Sequence, residues 1–142
     1  MPVVSITRLR VRSWRFLAPF LVATFRVARQ AMKTDGNVRV RLLRDSRNTY
    51  WTATAWTSEA AMKAFMHAPP HGPAMRRLLD WCDEASLVHW SDEAATLPDW
   101  QEADRRLRAE GRPSKVLHPS ADHQRLSFAA PVVRVTGDLR LK

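Results

Sequence analysis

Residues Tyr50–Trp56, with Thr57 closing the run, alternate with a period of two, and no other segment constrains the fold as much. Aromatic and β-branched residues at this period define a strand. Trp51, Ala53 and Ala55 fall on one face, whose small apolar character suits packing against helices. Tyr50, Thr52, Thr54 and Trp56 fall on the other.

The flanking segments supply the partners. Val3–Val11 alternates and is rich in β-branched residues, so it is a second strand. Ser13 is placed to cap a helix running to about Lys33, with Leu17, Phe20, Leu21, Thr24, Ala28, Ala31 and Met32 as its apolar stripe. Pro19 is tolerated only near the first turns and moves the start a few residues later. Thr34–Asn37 is a turn. Val38, Val40 and Leu42 then alternate with Arg39, Arg41 and Arg44, which predicts a strand with a basic outer face in a hairpin with Tyr50–Thr57. Thr57 or Ser58 caps a helix through Met62, Phe65 and Met66, which Pro69-Pro70 ends. A third helix starts near Pro73 and carries Met75, Leu78, Leu79, Cys82 and Ala85 at helical spacing. Leu87–Trp90 is a short last strand.

This order is the split βαβ pattern. It defines an α+β, ferredoxin-like βαββαβ domain with one antiparallel sheet over residues 1–90. The helices lie on one face of that sheet, and the other face needs cover. A second copy would supply it, giving a homodimer built as a dimeric α/β barrel with a cavity inside. Residues 91–142 form a C-terminal extension: a polar helix over Pro98–Gly111 anchored by Trp100 and Leu107, a loop over Arg112–Pro131, and a strand or hairpin over Val132–Leu141. The extension is expected to embrace the partner.

Composition narrows the function classes. The single cysteine, Cys82, excludes an internal disulfide and falls in an apolar helical pattern as a core residue. Of the net charge of +9, residues 1–47 carry all, with 11 Lys/Arg against two Asp/Glu. That basic third could face nucleic acid through Arg8, Arg10, Arg12, Arg39 and Arg41, but no aromatic–basic stacking motif accompanies them, so nucleic acid is not expected as a partner. The apolar run Phe16–Phe25 is too short to span a bilayer, contains Pro19 and leads directly into an amphipathic helix. A cytoplasmic protein without membrane association is expected.

Phosphate-binding glycine loops, nucleophile elbows, Cys-x-x-Cys pairs and His-Glu-x-x-His helices are all missing. His67 and His71 stand four residues apart, but Pro69, Pro70 and Gly72 break the helix that would align them on a metal, and no metal is expected. His71 is the strongest candidate for reactivity, as an acid/base or a haem ligand, because it titrates near neutrality and sits between prolines at a helix entry. Thr52, Thr54 and Trp56 would line the interior as an aromatic and hydroxyl wall, the lining a planar apolar ligand with a few polar atoms needs.

Residues 1–90 resemble an uncharacterised bacterial family of the dimeric α/β-barrel superfamily. The resemblance rests on Arg44-Asp45, the block Tyr50–Trp56, Ser58-Glu59-Ala60-Ala61-Met62 with Phe65, and His71 with Leu79–Ala85. That family is similar to spheroidene monooxygenase, a haem-using carotenoid oxidiser, and more distantly to the antibiotic-biosynthesis monooxygenases and haem-degrading monooxygenases. The haem degraders' histidine ligand falls on His71, their helix-two tryptophan on Phe65, and their first-strand asparagine has no counterpart, Ser5 and Thr7 being nearest. The resemblance implies a monooxygenase-like protein that holds an aromatic or polyene substrate, with haem as a possible cofactor, between Thr52, Thr54, Trp56, Phe65, Met75 and His71. The alternatives are a non-catalytic dimer that binds a small apolar molecule, and the nucleic-acid reading above.

Overall fold

The computed structural model describes residues 1–142. One antiparallel sheet of six strands organises it: β1 (Val3–Val11), β2 (Asn37–Arg44), β3 (Thr49–Trp56), β4 (Cys82–Ser91), β5 (Arg112–Pro113) and β6 (Asp138–Arg140), in the order β5-β4-β1-β3-β2-β6. Helices α1 (Leu17–Lys33), α2 (Glu59–His67) and α3 (His71–Trp81) lie on one face. Helix α4 (Trp100–Glu110) lies on the other.

Helix α1 begins later than a Ser13 cap would place it. Trp14–Phe16 forms a single 3-10 turn, and the Ser13 side chain caps nothing. The ring of Pro19 would clash with the carbonyl of Arg15 in an α-helix, so regular geometry starts at Leu17, where Pro19 occupies the first turn. Gly36 (φ +91°) turns the chain into β2, and a Cβ there would meet the Ala61 Cβ at 2.6 Å. Ser58 caps α2 by accepting from the Ala61 N–H at 3.1 Å. The Pro69–Pro70 bond ahead of α3 is cis.

The third helix ends four residues sooner than its spacing predicts, and the last strand is correspondingly longer. Cys82 and Ala85 belong to β4, not to α3. Cys82, Glu84, Ser86 and Val88 are all buried at a period of two. Pairing with β1 decides the matter, because Val11 faces Cys82 and Arg10 faces Glu84 across the ladder. A helix over the same residues would also leave Arg8 without the Glu84 carboxylate it needs in the interior.

The two faces of β3 are the reverse of the sequence assignment. Trp51, Ala53 and Ala55 pack with Val4, Ile6, Leu43 and Val88 against Trp100, Ala103 and Leu107 of α4 and against Phe128. Trp56 instead packs with Val3, Val40 and Ala31 against Met62 and Phe65. Small residues on a strand can accommodate a helix on either side, so size alone did not discriminate. The indole N–H groups follow the same division: Trp51 donates to Asp45 at 3.0 Å, Trp100 to Asp138 at 3.1 Å, and Trp56 to the Thr54 hydroxyl at 2.9 Å.

The sheet face expected to be bare is therefore covered by the chain's own extension. Asp99 caps α4 by accepting from the Glu102 N–H at 2.8 Å, and Trp100, Ala103 and Leu107 are buried on the sheet. Residues 91–142 wrap their own sheet, adding β5 to one edge and β6 to the other. Of the stretch Val132–Leu141 only Asp138–Arg140 is a strand, preceded by a 3-10 turn at Val135–Gly137. Arg41 and Asp138 form an ion pair that joins β6 to β2.

Beneath the cover lies a buried ion pair. Arg8 donates to Glu84 at 2.6 Å, and its guanidinium stacks 3.7 Å over the Phe128 ring. Glu84 also accepts from Arg10 at 3.2 Å and from Ser120 at 2.7 Å. Burial alone would raise the Glu84 carboxyl, but these hydrogen bonds outweigh it and hold the group below its usual value. The neighbouring Asp83 is raised, by burial first and by the nearby Glu84 charge. No helix is long and apolar enough to cross a membrane.

Candidate functional site

A cavity of about 260 Å³ lies between the sheet and helices α1, α2 and α3. Thr52, Thr54, Trp56, Phe65, His71 and Met75 all line it. The six come together because the face of β3 that carries the threonines looks toward the helices and not, as expected from sequence, away from them. Apolar residues dominate the walls, with Ala28 and Ala31 of α1 small enough to leave the space open.

Three aromatic rings in succession form one wall. Trp56 stacks on Phe65 with ring centroids 5.0 Å apart, and Phe65 meets His71 at 4.8 Å. Ring pairs at such separations gain quadrupolar attraction beyond the area they bury. The capping of α2 by Ser58 fixes where Phe65 emerges, and the Pro69-Pro70 corner then presents His71 as the first residue of α3.

His71 is held by two hydrogen bonds. Its Nδ1 donates to the Met66 carbonyl at 2.9 Å, which leaves Nε2 as the nitrogen with the free lone pair. Its backbone N–H donates to the Gln30 side-chain oxygen at 2.9 Å. The Gln30 amide in turn donates to the carbonyls of Phe65 and Ala68 at 3.0 and 3.1 Å. Burial keeps the His71 imidazole below its ordinary pKa; the Met66 hydrogen bond opposes the shift, and His67 reinforces it. A neutral imidazole with one free nitrogen is a proton acceptor.

Gln30 is the residue that the sequence reading missed. Its signal was a lone amide in a helix whose other polar side chains are cationic or small, beside the buried Ala31 and Ala28. Ser5 and Thr7 of β1, the positions nearest the missing first-strand asparagine, both line the cavity. His67 is exposed on α2, while His118 and His123 lie in the extension, the latter buried with Nε2 donating to the Ser114 carbonyl at 2.8 Å. Cys82 is fully buried under Phe20, and burial pushes its thiol up to about 12. That excludes a reactive thiolate. Four of the five arginines considered for nucleic acid are committed to internal partners: Arg8 and Arg10 to Glu84, Arg12 to Asp80, and Arg41 to Asp138.

Solved structures share this architecture. SnoaB, a cofactor-independent oxygenase from Streptomyces nogalater, superposes with a TM-score of 0.53 at 24% identity, over 65% of this chain and 93% of that one. A putative antibiotic biosynthesis monooxygenase from Nitrosomonas europaea gives 0.58 at 18% identity, over 65% and 90%. Rv0793 from Mycobacterium tuberculosis gives 0.59 at 14% identity, over 66% and 99%. No curated protein matches the chain. The fold is thus the one shared with these antibiotic-biosynthesis monooxygenase-like proteins, which cover about two thirds of this chain. Within that class the chain belongs to the family described as a domain of unknown function (DUF3291), which matches residues 23–114.

Proposed function

We propose that the chain binds a compact planar aromatic molecule between sheet and helices and acts on it as a monooxygenase, with His71 as the proton acceptor. The observation that carries this reading is the continuous wall Trp56–Phe65–His71, which ends an apolar surface on an imidazole with its Nε2 lone pair free. At about 260 Å³ the cavity is below the roughly 300–1,000 Å³ of drug-sized sites. It favours a compact ring system over an extended polyene.

Haem does not fit the residues present. The macrocycle is larger than a drug-sized ligand, the cavity is only about 260 Å³, and Phe65 packs against the His71 ring at 4.8 Å with Trp56 stacked behind it. The four electrons that dioxygen takes up are then assigned to the substrate itself, in the form left when His71 removes a proton. One oxygen atom bonds to a ring carbon in place of its hydrogen, the other leaves as water, and a hydroquinone ends as a hydroxyquinone. The neighbour SnoaB is described as a cofactor-independent oxygenase, which is in keeping with this assignment.

Naphthohydroquinone is a suitable probe. Purified protein should bind it and accelerate oxygen uptake, and His71→Ala should lower that rate by about 10²-fold, the usual contribution of a positioned base, while binding persists. Added haem should give no Soret shift. Binding without accelerated oxygen uptake would instead establish the second reading, a non-catalytic carrier of apolar molecules.

We propose that self-association uses a surface outside the covered sheet face. Trp14, Val22 and Phe25 carry exposed apolar surface on the α1 side that a second copy would bury. A dimer by sedimentation that Phe25→Glu converts to monomer supports this placement, and a dimer untouched by the substitution refutes it.

A further inference from the structure

We infer that the ligand of the cavity carries an anionic oxygen, a carboxylate or an ionised hydroxyl, and that Arg112 receives it together with the hydroxyls of Thr7 and Thr52. The inference rests on the cavity being a ligand site, as proposed above, and names the chemical class of what enters it.

The ladder places these groups in one line. Arg112 stands opposite Leu87, Leu87 opposite Thr7, and Thr7 opposite Thr52. Residues directly opposite on neighbouring strands share a face, and all four line the cavity. The row crosses the sheet from edge strand β5 to the centre of the floor. Gly111 makes the approach possible: the chain leaves α4 so tightly that a Cβ there would lie 2.3 Å from the Leu107 carbonyl oxygen. Arg112 is thereby turned from the covered face of the sheet to the cavity side.

Several observations show that this row is vacant chemistry and not a satisfied structural network. The hydroxyls of Thr7 and Thr52 are half-buried and hydrogen-bond to no protein group, whereas Thr54 is occupied by the Trp56 indole. Ser5, one row along, is likewise unpartnered and half-buried. Among all the residues lining the cavity there is no aspartate or glutamate. On the α2 side of the mouth, Lys63 is already paired with Glu59 at 3.3 Å, and His89 lies 4.0 Å from the same carboxylate. Arg112 alone among the lining cations Lys63 and Arg112 has no carboxylate at ion-pair distance.

An unopposed guanidinium beside an apolar space raises the local concentration of anions. Its fork and two free hydroxyl donors match an oxyanion at the end of a ring system. The aromatic wall would hold the rings while the row holds the oxygen.

Naphthoate and methylnaphthalene differ in this one group and serve as probes in calorimetric or fluorescence titrations of the full chain. Wild type should bind naphthoate at least about tenfold more tightly, the usual scale for a hydrogen bond to a charged group. Arg112→Gln should abolish that preference and leave methylnaphthalene unchanged; Arg112 is exposed, so the fold is not at stake. Equal binding of the two probes by wild type, or a preference that survives Arg112→Gln, overturns the inference while leaving the ligand site intact. If neither probe binds, the ligand site itself fails and the inference falls with it.

Discussion

The side-chain oxygen of Gln30 accepts the backbone N–H of His71 at 2.9 Å, so a residue in the middle of α1 sets the position of the first residue of α3. The same amide holds the carbonyls of Phe65 and Ala68. One side chain thus bonds three backbone groups at a corner where one helix stops and the next starts. Gln30→Met keeps the volume and removes all three bonds. It is expected to destabilise the protein by about 1–3 kcal/mol in urea titrations, because the His71 N–H loses its acceptor while the Phe65 and Ala68 carbonyls keep only the backbone donors of Ala68 and Gly72. If the His71 position matters for the proposed chemistry, oxygen uptake should fall by more than ligand affinity does.

Arg8 and Glu84 make a second testable unit. Removing one charge from a buried pair leaves the other uncompensated, at about 3–5 kcal/mol, whereas replacing both with apolar residues is often neutral. Arg8→Met should therefore unfold at markedly lower urea, and Arg8→Met with Glu84→Met should recover most of the loss. The acid limb gives an independent check. Glu84 is held below its usual 4.5 in the folded chain, so the unfolded chain binds more protons as pH falls below that value, and the contribution of the pair is lost in that direction. Asp83, raised in the fold, works in the opposite sense. The double variant should lose less stability than wild type between pH 5 and about pH 3.

The element order was legible because period-two and helical spacings are strong over Val3–Val11, Leu17–Lys33 and Tyr50–Trp56. Two features were not. The α3–β4 boundary hides in Leu78–Ala85, where Cys82 and Ala85 fit either period and only the ladder with β1 decides. The face of β3 was inverted because nothing within a strand states which side its helices take. That information sits in the extension, where Trp100, Ala103, Leu107 and Phe128 meet the sheet from residues far along the chain. The candidate residues stay together despite the inversion. Thr52, Thr54 and Trp56 share a face whichever way it points, and the helix with Phe65 and the entry with His71 follow at fixed distance. Gln30 and Arg112 escaped because each acts through a contact more than twenty residues away.

The cover over the sheet is expected to be integral to stability. Trp100 is 2% exposed, packs at 6.3 Å against Trp51 and donates its indole N–H to Asp138, which also pairs with Arg41. Trp100→Ala should cost about 3–5 kcal/mol, the range for truncating a buried aromatic. Trp100→Phe should keep most of the packing and lose only the hydrogen bond, at about 1 kcal/mol. Equal losses for the two would show that the bond to Asp138 outweighs the packing.

His71 should make stability depend on pH in a definite direction. Its folded pKa lies below the ordinary 6.5, with burial as the main cause. Between the folded and unfolded values the unfolded chain holds the extra proton, so stability is full above 6.5 and declines as pH falls through the folded value. Urea midpoints taken downward from pH 8 should therefore fall more steeply in wild type than in His71→Gln, which cannot charge. The same neutral form is the one proposed to accept the substrate proton, so oxygen uptake should decline over the same acidic window. A rate profile that rises on acidification would assign the proton to a different group.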